Sequence, residues 1–249
     1  MSQQNSSAMS RRAMLRGTTL SGVALGTAWG PLAAAPAAES ASAPAAVEPL
    51  RQAPVCEVVP VRTYTSAEFY DAQGAFDAEK AKAAYFDMFR RFGYPISDAL
   101  RKEMWVLDFG LGDFANVGMA GIFWLNRQDY GYFGHEIFLL PGQMIPEHCH
   151  LATDKGPAKM ESWQPRRGMI YTFGEGNPTP ELLSKIPASQ RKLVHSRCCK
   201  PLGIDEVGHL NRLTAWHFMV AGPEGALVTE YGTFHDMAGL RFSNPKAKV

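Results

Sequence analysis

Hydrophobic and polar positions follow two different rhythms along the chain. From Ser66 to Phe92 the pattern is helical: in "DAEKAKAAYFDMFRRFG" the residues Ala81, Ala84, Tyr85, Met88 and Phe89 share one face, with charges between them. Gly93 follows directly and predicts a C-cap. "YPISDALRKEMW" predicts a second short helix. After Trp105 the rhythm shortens. "GMAGIFWLN", "GHEIFLLP", "GMIYTFGEG", "RLTAWHFMVAG" and "GALVTEYGTF" are short apolar and aromatic runs punctuated by Gly, Pro and Asn. Such runs predict the strands of an all-β sandwich or barrel. The strand "RLTAWHFMVAG" is expected to end in a Gly turn. "GNPTPELLSKIPASQRKL" reads as an inserted loop with a short helical piece near Glu181–Ile186. No repeat of fixed period is visible.

Residues 1–45 follow neither rhythm. Arg11 and Arg12 precede a modest apolar run diluted by Gly, Thr and Ser, which ends in small residues around Ala33–Ala38. This is the layout of an export signal, and the paired arginines resemble a twin-arginine signal. The run falls short of the ~20 apolar residues of a spanning helix. "AESASAPAAVEP" reads as a flexible linker. The expectation is an exported, periplasmic protein passed through the twin-arginine machinery, with residues 46–249 forming a single domain whose ordered body begins near Val55.

Composition narrows the function classes. Hydrophobic residues make up 46% and charged residues 20% of the 249 residues, with a formal net charge of +1. That balance carries neither the basic excess of a nucleic-acid binder nor long charge runs. The four cysteines, Cys56, Cys149, Cys198 and Cys199, do not form a disulfide framework: two are adjacent, and neighbours bridge only under strain. The expected oxidising compartment leaves a Cys56 pairing open, with no partner readable.

The candidate chemistry lies in "PGQMIPEHCHLATDKGPAKMESW". On a strand, side chains alternate faces, so His148 and His150 point the same way and Cys149 the opposite way. Two imidazoles so placed can reach one ion at ~2.1 Å. Glu161, beyond a loop, can bring a carboxylate to the same ion, a donor set that suits divalent first-row metals and keeps Mn and Fe in play. A further ligand is open among His217, His209 and His235. Trp216 and Phe218 mark an inner strand and favour His217. His135 and His195 read as ordinary surface or loop residues. Pro165 favours an edge or a bulge in its strand.

Gly142 and the pair His148-x-His150, followed by a Glu, resemble the first motif of the cupin superfamily, although Glu161 comes eleven positions after His150. That longer spacing resembles one branch of the D-lyxose isomerase family of cupins. "WVLDFGLGDFANVGMAGIFWLN", "LPGQMIPEHCH", "GPAKMESW" and "TAWHFMVAGPEGALVTEYGTF" are similar to successive family segments, from about Tyr85 to Pro245. The resemblance implies a cupin fold, a double-stranded β-helix or jelly-roll barrel with N-terminal helices. It implies His148, His150, Glu161 and His217 as metal ligands, with Mn2+ the usual ion and Fe2+, Co2+ or Zn2+ admissible. It further implies active-site roles for Lys159 and Glu230, an Arg166 facing the site, and a small-molecule sugar as partner. Cupins of this kind often pair as homodimers.

Aldose–ketose isomerisation needs a base at the carbon acid and stabilisation of the developing oxyanion. Glu230 shares strand parity with Val228 and Gly232 and is the candidate base; Lys159 is the candidate donor to the carbonyl oxygen. Trp163 and Trp216 are candidates to stack on a sugar face, or core residues. No Gly-rich phosphate loop is present, which favours a free sugar. Two other readings use the same ligands: an Fe(II) cupin oxygenase and a non-catalytic exported sugar-binding cupin.

Overall fold

The computed structural model describes residues 60–249. The expected export signal, the linker, Cys56 and the expected start of the ordered body near Val55 lie outside the described residues. The helical stretch that begins at Ser66 is interrupted. A 3-10 turn over Ser66–Phe69 ends at Tyr70. Asp71 Oδ1 then accepts from the backbone N–H of Gln73 and Ala75, holding a turn that excludes helix. Asp77 restarts the helix by accepting from Lys80 N, so helix α1 spans Ala78–Phe92. It ends as expected at Gly93, which takes a left-handed φ of 63°. Ser97 caps α2 (Asp98–Glu103), the second short helix expected. No described helix is long and apolar enough to cross a membrane.

Nine strands follow: β1 (Trp105–Leu107), β2 (Met119–Arg127), β3 (Tyr132–Leu139), β4 (His148–His150), β5 (Glu161–Gly174), β6 (Cys198–Leu202), β7 (Gly208–His209), β8 (Phe218–Thr233) and β9 (Leu240–Phe242). Seven form an antiparallel sheet in the order β1-β2-β3-β8-β5-β6, with β7 also paired to β5. β4 and β9 form a separate pair. Mutual backbone bonds of 3.0 Å between His148 and His217 tie β4 to the chain entering β8. The inserted loop contains a 3-10 helix at Pro180–Lys185 rather than an α-helix.

Two expected boundaries are corrected. "RLTAWHFMVAG" and "GALVTEYGTF" do not end and restart at a turn: β8 runs through Gly222–Gly225 as one strand. There Ala221 pairs with Ile170 and Ala226 with Gly168, so the extra residues bulge out. Gly168 and Gly225 both have positive φ, and a side chain on Gly168 would collide with the Gly225 carbonyl. β5 bulges as well, at Arg166, directly after Pro165, which matches the bulge expected there.

The apolar face of α1 buries Tyr85 and Phe89 completely, together with Phe69, Phe114 and Phe138. Burial of a side chain such as Phe89 contributes about 1.5–3 kcal/mol. Tyr85 donates to Gln143 Oε1 at 2.6 Å, and Gln143 in turn accepts from Leu140 N and donates to the Phe114 carbonyl. This buried network fixes the turn after β3, where Gly142 adopts φ 71°, and so aims the chain toward β4. A second apolar cluster, with Ile137, Ile145, Ile170, Met219, Ala221, Ala226 and Val228, lies inside the β-structure beneath the site.

Candidate metal centre

The four ligands proposed from the sequence converge. One donor atom from each of His148, His150, Glu161 and His217 lies within 4.8 Å of every other. Strand alternation puts His148 and His150 on one side of β4, and their rings approach at 5.1 Å. Cys149 between them is buried but does not line the cavity described below. The bridge between His148 and His217 brings those two rings to 4.3 Å. Glu161, the first residue of β5, places Oε1 3.4 Å from His150 Nε2 and against His217 Nε2.

The hydrogen bonds suit metal ligation. His148 Nδ1 is 2.9 Å from the Pro146 carbonyl, and His217 Nδ1 is 2.9 Å from the Ala215 carbonyl. A carbonyl only accepts, so each Nδ1 carries the proton and each Nε2 lone pair is free toward the centre. The Nε2 atoms of His150 and His217 are buried without a hydrogen-bond partner. Burial, then the neighbouring His217 and His150, hold His148 well below the usual imidazole range, and burial also lowers His150. For His217, burial acts downward but the Glu161 carboxylate outweighs it and raises the imidazole. Burial acts upward on Glu161, but Lys159 and His217 carry it well below the usual carboxylate range. His148 and His150 held neutral, with His217 drawn to the ionised Glu161 carboxylate, form a donor set that fits a divalent ion, which would take the place of a proton between His217 and Glu161.

Lys159 and Glu230 adjoin this centre. Lys159 is 5% exposed, with Nζ 2.7 Å from Glu230 Oε1 and 2.5 Å from Glu161 Oε2. The contact to Glu161 is a close ion pair whose direction falls outside hydrogen-bond geometry. Burial disfavours the ammonium, yet Glu161 and Glu230 raise Lys159 above its ordinary value, so it is charged. Its Nζ also lies 4.0 Å from the centre of the Phe133 ring. Glu230 Oε2 is 2.7 Å from His135 Nδ1.

His135 therefore differs from its sequence reading as a surface or loop residue. It is 4% exposed, pairs in register with Glu230 across β3 and β8, and stacks on both Trp105 and Phe123, which also touch each other. The apolar Phe133 and Ile137, two positions to either side and both buried, are the signal in the sequence that could have placed it inward. His195 conforms: its side chain is exposed and contacts the buried carboxylate of Glu147. Of the alternative ligands, His209 is exposed. His235 is outside the quartet but reaches the cavity beside Phe123 and Phe133, and burial drives it down to about 3.

Arg166 does not face the site. As the bulged residue of β5 it is exposed and contacts Gln164, whereas Glu161 and Trp163 point inward. Trp163 stacks on His217 with a ring separation of 5.7 Å. Trp216 lies against His195 and does not line the same cavity. That cavity has a volume of about 340 Å³ and is bordered by the quartet, Lys159, Glu230, His135, His235 and Trp163, with an extensive apolar wall.

No protein-family model matches the chain. It is 29% identical over 166 residues to a D-lyxose/D-mannose isomerase of Thermosediminibacter oceani, covering 66% of this chain and 88% of the relative. It is also 29% identical over 173 residues to a D-lyxose ketol-isomerase of Cohnella laeviribosi, covering 68% and 91%. Among solved structures, the L-ribose isomerase of Acinetobacter sp. DL28 superposes with a TM-score of 0.54 at 16% identity, over 76% of this chain and 96% of that one. The L-ribose isomerase of Cellulomonas parahominis gives 0.51 at 17% identity, over 75% and 96%. The described chain thus has the mainly antiparallel β fold with N-terminal helices that was expected, and it shares that fold with the L-ribose isomerases.

Proposed function

We propose that the protein is a metal-dependent aldose–ketose isomerase acting on a free sugar such as D-lyxose, interconverted with D-xylulose through an enediol. The observation that carries this reading is the contact chain His135–Glu230–Lys159–Glu161, which joins a buried carboxylate to the metal-type quartet inside one cavity. The similarity to proteins named D-lyxose isomerase supports it.

In this reading the Glu230 carboxylate takes the proton from C2 of the aldose and returns it to C1. The hydroxyl proton passes from O2 to O1, so atoms and electrons balance without a co-reactant. Lys159 places a fixed positive charge beside the carbonyl oxygen as negative charge develops there. His135 holds the second oxygen of Glu230 and so its orientation. His148, His150, Glu161 and His217 would hold a divalent ion, Mn2+ by family resemblance, and that ion would supply Lewis-acid polarisation of the carbonyl and its neighbouring hydroxyl. The apolar wall keeps bulk water from the exchanging proton.

Glu230→Gln tests the assignment. It is expected to leave Mn content unchanged by elemental analysis and to lower isomerisation by ~10²–10⁴-fold. Turnover at the native level would remove Glu230 as base. Oxygen uptake by an Fe(II)-loaded protein, or sugar-dependent thermal stabilisation without product, would replace the isomerase reading by an oxygenase or a sugar-binding one. Export through the twin-arginine machinery and a homodimeric state complete the proposal. Cell fractionation with N-terminal sequencing tests the first, and light scattering of the mature protein the second.

A further inference from the structure

The lining of the cavity is divided by chemistry. Its polar side-chain atoms belong to one contiguous group: the quartet, Lys159, Glu230, His135, His235 and the indoles of Trp105 and Trp163. Trp105 stacks on His135 and Trp163 on His217, so both indoles stay with that group. Four of its nitrogens, Trp105 Nε1, Trp163 Nε1, His135 Nε2 and His235 Nδ1, are buried without a hydrogen-bond partner. The rest of the wall includes Leu107, Phe109, Met119, Ile145, Leu240 and Phe242, none of which has a side-chain nitrogen or oxygen. Phe109 and Phe242 pack edge to face, with ring centres 5.6 Å apart, and most of this wall continues directly into the apolar core.

A fully hydroxylated sugar turned toward that wall would bury its terminal hydroxyl without a partner, which is unfavourable. A methyl or methylene group there removes apolar surface from water instead. Resting on the isomerase reading of the same site, we infer that the preferred substrate is an α-hydroxyaldehyde with apolar distal carbons, in the first place a terminally deoxygenated sugar. The metal-side polar group recognises the reacting end, and the wall of Leu107, Phe109, Met119, Ile145, Leu240 and Phe242 selects against a distal hydroxyl.

The test uses sugar pairs that differ only in the terminal hydroxyl: D-lyxose with 5-deoxy-D-lyxose, L-mannose with L-rhamnose, and L-galactose with L-fucose. Affinity is measured calorimetrically on the Mn-loaded Glu230→Gln protein, and kcat/KM on the Mn-loaded native protein. The expected result is that, in at least one pair, the deoxy member binds about tenfold or more tightly. Equal binding, or preference for the hydroxylated member, in every pair that binds would overturn the inference. If such a sugar were still isomerised, the isomerase reading would stand alone. Binding of no sugar in any pair would also overturn it. Preferential binding of a deoxy sugar that the native protein does not convert would uphold the inference and sink the isomerase reading.

Discussion

Lys159 Nζ is shared between two carboxylates, 2.7 Å from Glu230 and 2.5 Å from Glu161. Its charge therefore serves the candidate base and a candidate metal ligand together. Lys159→Met would leave two buried carboxylates without their common cation. Breaking a buried pair in this way costs about 3–5 kcal/mol. The loss should be full in chelator-treated protein and smaller in Mn-loaded protein, where the bound ion compensates Glu161. Urea denaturation of both forms measures the difference; equal losses would show that Lys159 serves Glu230 alone.

His135 is a positioning residue for Glu230. His135→Phe keeps an aromatic ring against Trp105 and Phe123 but deletes the bond to Glu230. The expected result is a fall in kcat of about tenfold or more, with KM little changed. Gly121→Ala should act in the same direction, because its new methyl group would meet His135 Nε2 and the Trp105 ring. His135→Gln, which retains a side-chain N–H, should recover part of kcat. A mere packing role would instead let the phenylalanine variant work normally.

Removal of metal should lower thermal stability reversibly. A ligand present at 100 times its Kd stabilises by about 2.7 kcal/mol. Differential scanning calorimetry before and after chelation, then after Mn2+ is returned, should show the melting temperature falling and recovering. In His217→Ala that metal-dependent shift should vanish. A native-sized shift in the variant would mean that the ion binds elsewhere.

His235 sets a pH prediction. Burial depresses its imidazole to about 3 in the folded state, against an unfolded value near the ordinary 6.5. Between those values the unfolded chain binds a proton that the folded chain does not. Stability is thus lost as pH falls from about 6.5 toward 3. His235→Phe keeps the stacking on Phe123 and Phe133 and should flatten this slope. Denaturation midpoints across that window give the comparison, and parallel slopes would count against it.

The parts of this site legible in the sequence obey local rules. His148 and His150 share a face through strand alternation alone, as Gly93, outside the site, marks a helix end through capping. His217 could be preferred to His209 and His235 because aromatic residues flank it. Alternation with Phe133 and Ile137 could place His135 inward, but not its role, which depends on register with Glu230, 95 residues away. Arg166 went the other way: one bulged residue after Pro165 turned it to solvent, and bulge position depends on the neighbouring strand. For the same reason Gly222–Gly225 read as a turn, since Gly-Pro sequences suit turns and bulges alike.

That bulge also sets the phase of β8. His217 and Glu230 are 13 positions apart, an odd number, so an unbroken strand would send them to opposite faces. The inward residues are Met219 and Ala221 before Gly222–Gly225 but Ala226 and Val228 after it, a change from odd to even numbers. The loop of backbone at Gly222–Gly225 is thus a half-step in the alternation, and it brings the candidate base and the candidate metal ligand to one side. Deleting a single residue there would rotate Glu230 out to solvent while leaving His217 where it is, separating metal affinity from turnover in one change far from either.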